Sequence, residues 1–137
     1  MIGYVTLGTN DLKRSAAFYD ALLAEVGARR FMDNDRMVGW GTQPDQPMLA
    51  VCKPFDDKKA TTGNGTMVAL NVGSPEAVKK VHGKAMQLGA KDEGALGPRG
   101  DSGFGYRAAI HIGDSAEDRP PECLRPAHTR KDLRRIG

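Results

Sequence analysis

The sequence contains few of the residues that usually carry metal or redox chemistry. It has three histidines and two cysteines among 137 residues. Cys52 and Cys123 lie far apart in a chain that opens without an export-signal pattern, so we expect free thiols rather than a disulfide. The three histidines, His82, His111 and His128, show no spacing typical of paired metal ligands. The histidines and cysteines therefore indicate neither a local metal motif nor a disulfide framework.

Long hydrophobic runs are also missing. No apolar stretch approaches the ~18 residues that are needed to cross a bilayer. The N-terminal residues do not combine a basic region, an apolar region and a cleavage site, as a secretory signal would. We therefore expect a cytoplasmic protein without a membrane partner.

The excess of positive over negative charge is confined to the C-terminal end. The formal net charge is +3. Residues 125–137 hold five basic residues and one acidic residue, a net of +4, which leaves about −1 for residues 1–124. Nucleic-acid binding domains usually carry a basic face, and no recognition motif or aromatic interleaving is present here. No nucleic-acid partner is expected.

The chain does contain an internal repeat. Residues 4–29 (YVTLGTNDLKRSAAFYDALLAEVGAR) reappear in degenerate form, one residue shorter, as residues 67–91 (MVALNVGSPEAVKKVHGKAMQLGAK). Each copy opens with V-x-L in an apolar alternation, continues through an amphipathic helix and closes on Gly-Ala and a basic residue. Two copies are too few for a solenoid, so the repeat predicts two similar modules packed together.

The first copy predicts a strand over residues 4–9 and a helix from Asp11 to about Val26, with Asn10 as the N-cap and Gly27 as its end. Its expected apolar stripe consists of Leu12, Ala16, Tyr19, Leu22, Leu23 and Val26. Strands are then expected over residues 28–32, 36–41 and 48–53. The first module is thus predicted to be βαβββ.

The second copy predicts a strand over residues 67–72 and a helix to Leu88 that begins with Ser74 as the N-cap and Pro75 in its first position. Residues 94–105 are glycine-rich and predict a loop, and residues 106–112 predict a final strand. We expect one domain over residues 1–112, with module one at 1–53, a linker at 54–65 and module two at 66–112. Residues 113–137 predict an irregular basic extension, because Pro120, Pro121 and Pro126 exclude a continuous helix or central strand.

Three stretches, VTLGTNDLKRSAAFYDALL, GNGTMVAL and Gly97-Pro98-Arg99-Gly100, together with the repeat, resemble the vicinal oxygen chelate superfamily. That superfamily includes glyoxalase I, extradiol dioxygenases, fosfomycin-resistance enzymes and bleomycin-resistance proteins. The resemblance implies an α+β fold in which two repeated βαβββ modules form a curved mixed sheet, an open barrel with the ligand in its cavity.

The resemblance also implies metal ligands, His or Glu, early in the first strand of each module and near the end of the last strand. Tyr4 and Met67 stand at the first two positions here, and a thioether suits soft copper rather than Mg, Mn, Fe or Zn. No equivalent of the last-strand ligand follows Tyr106. We expect no metal cofactor. His111, with Asp114 and Glu117 beyond it, remains a weak candidate for a divalent-metal ligand.

The alternation of the first strands predicts a cavity lined by Tyr4, Thr6, Met67 and Ala69, since Val5, Leu7, Val68 and Leu70 should pack under the helices. Trp40 is a further candidate for the cavity, with core packing as the alternative. Cys52 is interpreted as a small hydrophobe, and His82 as a helix-surface or helix-packing residue. Arg99 on the glycine-rich loop could bind a ligand anion, and Tyr106 completes the predicted ligand-binding set.

Three functions agree with these residues. The first is metal-independent binding of a small organic molecule in a mainly apolar cavity. The second is a metal-dependent lyase, isomerase or dioxygenase of the glyoxalase type with a degenerate site. The third is a non-catalytic interaction module. A homodimer is expected, because an open curved sheet leaves edges that a partner can cover.

Overall fold

The computed structural model describes residues 1–61, 63 and 65–98, and the backbone of one further strand at 106–111. Two helices and six strands are assigned in these residues. In chain order they are β1 (Tyr4–Gly8), α1 (Leu12–Leu23), β2 (Arg29–Asp33), β3 (Met37–Gly41), β4 (Met48–Cys52), α2 (Pro75–Gln87), β5 (Lys91–Pro98) and β6 (Tyr106–His111). A short 3-10 turn, Ala24–Val26, continues α1. Within these ranges, no helix is long and apolar enough to span a membrane.

Module one forms a four-stranded sheet in the order β1-β4-β3-β2. The β1 and β4 strands run parallel, whereas β3 is antiparallel to both of its neighbours. A register shift between Arg30 and Met32 interrupts β2. The predicted βαβββ order of module one is confirmed, and the α+β class with a curved, unclosed sheet is confirmed with it.

The start of α1 differs from the prediction by one residue. Asp11 is the N-cap, because its side chain accepts a hydrogen bond from the backbone N–H of Arg14. The predicted cap, Asn10, instead joins the linker to module one: its Nδ2 donates to the carbonyl of Ala60 over 3.0 Å, and the Ala60 N–H donates to its Oδ1 over 2.7 Å. Two adjacent residues of capping type were available, and the linker engages the first of them.

The core lies between α1 and one face of the four-stranded sheet. The predicted stripe of α1 provides its helical half, and even-numbered β3 residues with odd-numbered β4 residues provide the other half. This core cluster consists of Ala16, Tyr19, Leu22, Leu23, Val38, Trp40, Leu49, Val51 and Ala85. Gly27 ends the helical segment with a φ of 75°, a conformation that glycine adopts without steric cost.

Module two begins its helix as predicted. The Ser74 hydroxyl accepts from the N–H of Ala77, and Pro75 occupies the first turn. The helix α2 packs against α1, where Ala85 is fully buried and Glu25 lies 2.8 Å from Lys80 Nζ and 3.9 Å from Lys84 Nζ. The pKa of Glu25 is lowered, chiefly by the hydrogen bond from Lys80.

The predicted loop over residues 94–105 is wrong for its first part, because Gly94 to Pro98 belong to β5. This strand pairs antiparallel with β6, and two register shifts interrupt the pairing around Gly94 and Gly97. Glycine tolerates the backbone conformations of such bulges, so a glycine-rich segment can still pair when a partner strand is available. Residues 99–105 lie outside the described residues.

The predicted strand at residues 67–72 is also wrong: this stretch, MVALNV, has no strand assignment. We refer to it as the unpaired segment. Its repeat-mate β1 is completed by β4, and the corresponding strand of module two would follow β6, at residues outside the described ranges. A strand requires a ladder of hydrogen bonds, so the alternating pattern alone does not produce one. The predicted extension at 113–137 likewise lies outside the described residues.

Candidate functional site

One face of the four-stranded sheet is not covered by α1, and we call it the open face. Register defines its members: Gly39 is paired with Ala50 and with Met32, while Thr6 is paired with Ala50 on the other side. Because side chains alternate between faces, these residues point away from the core. The open face comprises Tyr4, Thr6, Gly8, Arg29, Met32, Met37, Gly39, Gly41, Met48, Ala50 and Cys52.

The centre of the open face is a floor of very small residues. Gly39 and Gly41 are buried, and Ala50 is 3% exposed. A Cβ atom placed on Gly39 would lie 3.4 Å from the Cβ of Ala50 and 3.5 Å from the Cβ of Met32, which is ordinary van der Waals contact. A Cβ atom on Gly41 would lie 3.1 Å from Met48 Cγ and 3.3 Å from Phe31 Cδ2, so neighbouring side chains extend over these small residues.

Flexible apolar side chains surround this floor. Met32, Met37 and Met48 are each half-buried, and the ring of Phe31 lies beside Gly41. The guanidinium carbon of Arg29 lies 5.1 Å from the centroid of the Phe31 ring. Methionine fills irregular spaces and adapts to different partners because its side chain is unbranched and polarisable. The side chains around the floor are therefore flexible and mainly apolar.

Tyr4 and Thr6, both predicted to line the cavity, do lie on the open face. Tyr4 is 59% exposed and is paired in register with Met48. Met67 and Ala69 are exposed residues of the unpaired segment. Val68 packs against the core as predicted, but Leu70, which was predicted to pack under the helices, is 41% exposed, so that part of the prediction is wrong.

Trp40 lies in the core and not on the open face. Its exposed fraction is 1%, and its ring centroid is 5.5 Å from that of Tyr19. Its Nε1 donates to Asp20 Oδ1 over 2.8 Å, and Arg30 Nε donates to the same carboxylate over 2.9 Å. The hydrogen bonds from Arg30 hold the pKa of Asp20 below its usual value. Core packing, the alternative considered for Trp40, is what the structure supports.

The remaining sequence candidates are placed by backbone alone or not at all. Tyr106 and His111 stand at opposite ends of β6, paired in register with Pro98 and Lys91. Arg99 lies outside the described residues. His82 is a helix-packing residue: its side chain is 10% exposed, and Nε2 lies 3.4 Å from Asp92 Oδ1 without the alignment of a hydrogen bond.

The three methionines of the open face were not among the predicted site residues. The signal for them was present in β3 and β4, where Val38 and Trp40 alternate with glycine, and Leu49 and Val51 alternate with small residues. Because Trp40 faces the core, the glycines on either side of it face the open side of the sheet.

The open face does not fit a hard divalent metal. Its polar side-chain groups are a phenol, a hydroxyl, the Arg29 guanidinium, thioethers and the Cys52 thiol, whereas Mg, Mn and Fe sites use carboxylate and imidazole ligands. Among the described residues, no three His, Cys, Asp or Glu side chains form a group that could hold a metal ion. This statement does not cover His111, whose side chain lies outside the described part of the chain.

A depression of about 200 Å³ lies where β1 and β4 end. It is lined by Thr9, Asn10, Lys53, Pro54, Asp57, Lys58 and Lys59. Asp57 is paired with Arg36 over 2.8 Å, and Lys58 with Asp56 over 3.3 Å. This polar surface is formed largely by the linker and shares no residue with the open face.

Several solved structures share this fold. A glyoxalase/bleomycin resistance protein from Albidiferax ferrireducens T118 is 28% identical, with a TM-score of 0.71 over 80% of this chain and 89% of that one. A glyoxalase/bleomycin resistance protein/dioxygenase family enzyme from Burkholderia phytofirmans PsJN is 19% identical, with a TM-score of 0.61 over 79% of this chain and 87% of that one. A glyoxalase-related enzyme from Fulvimarina pelagi is 21% identical, with a TM-score of 0.59 over 80% and 78%.

No protein-family model and no curated protein matches the sequence. The identification therefore depends on the three-dimensional arrangement: the helix-covered sheet in the order β1-β4-β3-β2, followed by a second helix and further strands. By this arrangement and these structural neighbours, the chain has the fold of glyoxalase/bleomycin resistance protein/dioxygenase proteins, which supports its resemblance to the vicinal oxygen chelate superfamily.

Proposed function

We propose that this protein binds a small, mainly apolar organic molecule on the open face, without a metal ion. The observation that carries the proposal is the floor of Gly39, Gly41 and Ala50 with methionines around it. Ligand sites are usually concave and apolar, with a few polar groups that orient the ligand. The open face has this composition, and Tyr4 and Thr6 are its orienting groups.

The flexible methionine side chains around the floor should accept ligands of several shapes. Each of Met32, Met37 and Met48 has three rotatable bonds, and sulfur makes favourable contacts with aromatic rings. Phe31 adds a ring face for stacking. Arg29, which is paired with Gly41 and lies over the Phe31 ring, is the charged residue of the open face. A flat aromatic molecule that is neutral or carries an anionic group therefore fits this proposal best.

Chemistry on the bound molecule is not part of the proposal. The described donors of the open face offer neither the carboxylates nor the imidazoles that a glyoxalase-type metal centre would use. The similarity to structures named as enzymes concerns the fold, and a fold alone does not determine an activity.

The test replaces the floor of the site. Gly39→Val adds a β-branched side chain that suits a strand and occupies the space beside the Cβ atoms of Ala50 and Met32. The probe is 1-anilinonaphthalene-8-sulfonate, followed by fluorescence titration with and without EDTA. The unaltered protein should bind the dye equally in both buffers, and Gly39→Val should weaken binding by about tenfold or more, or roughly 1.4 kcal/mol.

Gly83→Ala is the matched control, because a Cβ on Gly83 in α2 meets no atom within 4 Å. It should leave dye binding unchanged. Equal binding by Gly39→Val and the unaltered protein would show that the dye binds elsewhere, and loss of binding in EDTA would contradict the metal-free site.

A further inference from the structure

Two adjacent arginines of β2 lie on opposite faces of the four-stranded sheet and have different partners. Arg30 lies on the face that α1 covers, where it donates to Asp20 over 2.9 Å and to Asp33 over 2.6 Å. Arg29 is paired in register with Gly41 on the open face. No ion pair of the described residues includes Arg29. Arg30 therefore has a structural role within the fold, whereas the charge of Arg29 has no such use.

The register shift in β2 gives Arg29 an aromatic neighbour. The pairing passes from Arg30 to Met32, so Phe31 is an extra residue in the strand. Regular alternation would place Met32 on the same face as Arg30. The extra residue instead brings both Phe31 and Met32 to the open face, as a bulge that redirects side chains does. Three consecutive open-face positions of β2 are thus a cation, a ring and a thioether.

The Phe31 ring holds the guanidinium of Arg29 in place. The guanidinium carbon lies 5.1 Å from the ring centroid, within the range of a cation–π contact. The ring is itself half-buried beside Gly41, so it is a fixed support. A guanidinium has five N–H donors in a planar fork, and contact with a ring leaves donors for an acceptor. Arg29 therefore presents a partly oriented anion-binding group at the border of the open face.

We infer that Arg29 binds the carboxylate of an aromatic acid whose ring lies on the floor of the open face. This inference rests on the proposed function and adds the class of ligand to it. A guanidinium matches a carboxylate through two parallel hydrogen bonds. Arg29 is the charged residue of the open face, so one unit of positive charge meets a monoanion, whereas a phosphate dianion would need further donors.

The position of Arg29 relative to the floor fits a ligand with one apolar and one anionic end. Gly41, the register partner of Arg29, is two residues from Gly39 along β3. Two residues of a strand span roughly 7 Å. A ring system of one or two fused six-membered rings over Gly39 therefore directs a substituent at its end toward Arg29.

The first experiment compares two probes that share a ring system and differ in charge. Binding of 2-naphthoate and of 2-naphthamide to the full chain is measured by equilibrium dialysis at pH 7. The carboxylate should bind roughly tenfold more tightly than the amide, because the amide keeps the shape but lacks the charge that strengthens the hydrogen bonds. Equal affinities would overturn the inference, and Arg29 would then be a solvated charge of an edge strand.

The second experiment assigns the difference to Arg29. Arg29→Gln should weaken naphthoate binding by roughly tenfold and naphthamide binding by less than about twofold. Arg29→Lys keeps the charge without the planar fork and should recover only a small part of the loss. Equal losses for the two probes, or full recovery by lysine, would contradict recognition of the carboxylate by the guanidinium fork.

Lys13→Gln is the matched control. Lys13 is an exposed residue of α1, which lies on the other side of the sheet, and its replacement removes the same unit of charge from the protein. Both affinities should stay unchanged. Weaker naphthoate binding by this variant, to the same extent as by Arg29→Gln, would show attraction by the net charge and would overturn the inference.

The neutral probe separates failure of this inference from failure of the proposed function. Naphthamide binding that Gly39→Val weakens supports the open face as the ligand site. If the carboxylate then gains nothing over the amide, the inference alone is wrong. If neither probe binds, or if Gly39→Val changes neither affinity, the proposed function is wrong and the inference fails with it.

Discussion

Module one and module two begin from the same sequence pattern and reach different structures. Module one has four paired strands and provides nine of the ten buried hydrophobic residues in the described ranges. Module two provides Ala85 alone, and two of its strands pair. The V-x-L alternation is present in both modules. The difference teaches that alternation sets which face of a strand is apolar, whereas the strand itself requires a neighbour to accept its hydrogen bonds.

The largest effect that tests this comparison should come from truncating a central apolar residue in each module. Trp40→Ala removes a fully buried ring and the hydrogen bond to Asp20, and should lower the free energy of unfolding by about 3–5 kcal/mol. Val81→Ala trims a half-buried residue of α2 and should cost about 1 kcal/mol. Urea unfolding followed by circular dichroism measures both. Similar costs would mean that module two is as well packed as module one.

The N-caps of the two helices provide a second comparison of the modules, in which the substitutions are closely matched and the expected loss of stability is smaller. Asp11→Ala and Ser74→Ala each remove a side-chain acceptor at an N-cap, and each should destabilise its helix by about 1 kcal/mol. Thermal unfolding is followed by Trp40 fluorescence and by far-ultraviolet circular dichroism. Asp11→Ala should lower the midpoint by both probes, and Ser74→Ala chiefly by circular dichroism. Coincident shifts for both variants would show that the modules unfold as one cooperative unit.

The smallest expected effect is the pH dependence of stability that arises from Asp20, whose carboxylate accepts the hydrogen bond from Trp40 Nε1. Because folding lowers the pKa of Asp20 from its ordinary 3.8, its stabilising contribution is present above that pH and is lost as the pH falls through the lower folded value. The Asp20 side chain is 40% exposed, so solvent screening limits this contribution to less than about 1 kcal/mol.

Asp20→Asn should reduce the loss of stability between pH 7 and pH 3, measured as the difference in urea midpoints. The pH dependence should be reduced only in part, because the pKa of Glu25 at the α1–α2 contact is also lowered and Glu25 remains in the variant. An unchanged pH dependence would show that Asp20 does not titrate with folding.

Local signals allowed most of module one and the start of α2 to be predicted. The apolar stripe of α1, the Ser74-Pro75 helix start and the three short strands were all readable, because they depend on residues that are near in sequence. The choice between Asn10 and Asp11 as the cap depended on Ala60, which is 50 residues away. Likewise, β5 forms from a glycine-rich segment because β6 is available to pair with it.

The candidate site was predictable in part for the same reason. Tyr4 and Thr6 follow from alternation within one strand. The floor between the methionines depends on Gly39 and Ala50 on neighbouring strands, and their pairing becomes visible only with the register. The homodimer, the cytoplasmic location and the ligand roles of Met67, Ala69, Arg99 and Tyr106 stay predictions.

The paired hydrogen bonds between Asn10 and Ala60 have a consequence for how module two is held. The side-chain amide of Asn10 pairs with the Ala60 backbone in the way that a peptide group of a neighbouring strand would. Because Ala60 is fixed to module one, the chain that connects module one to the unpaired segment is effectively the six residues 61–66. A short tether gives a high effective concentration of one binding surface at the other, on the order of millimolar. Module two can thus remain docked on α1 through a contact too small to hold two separate chains together.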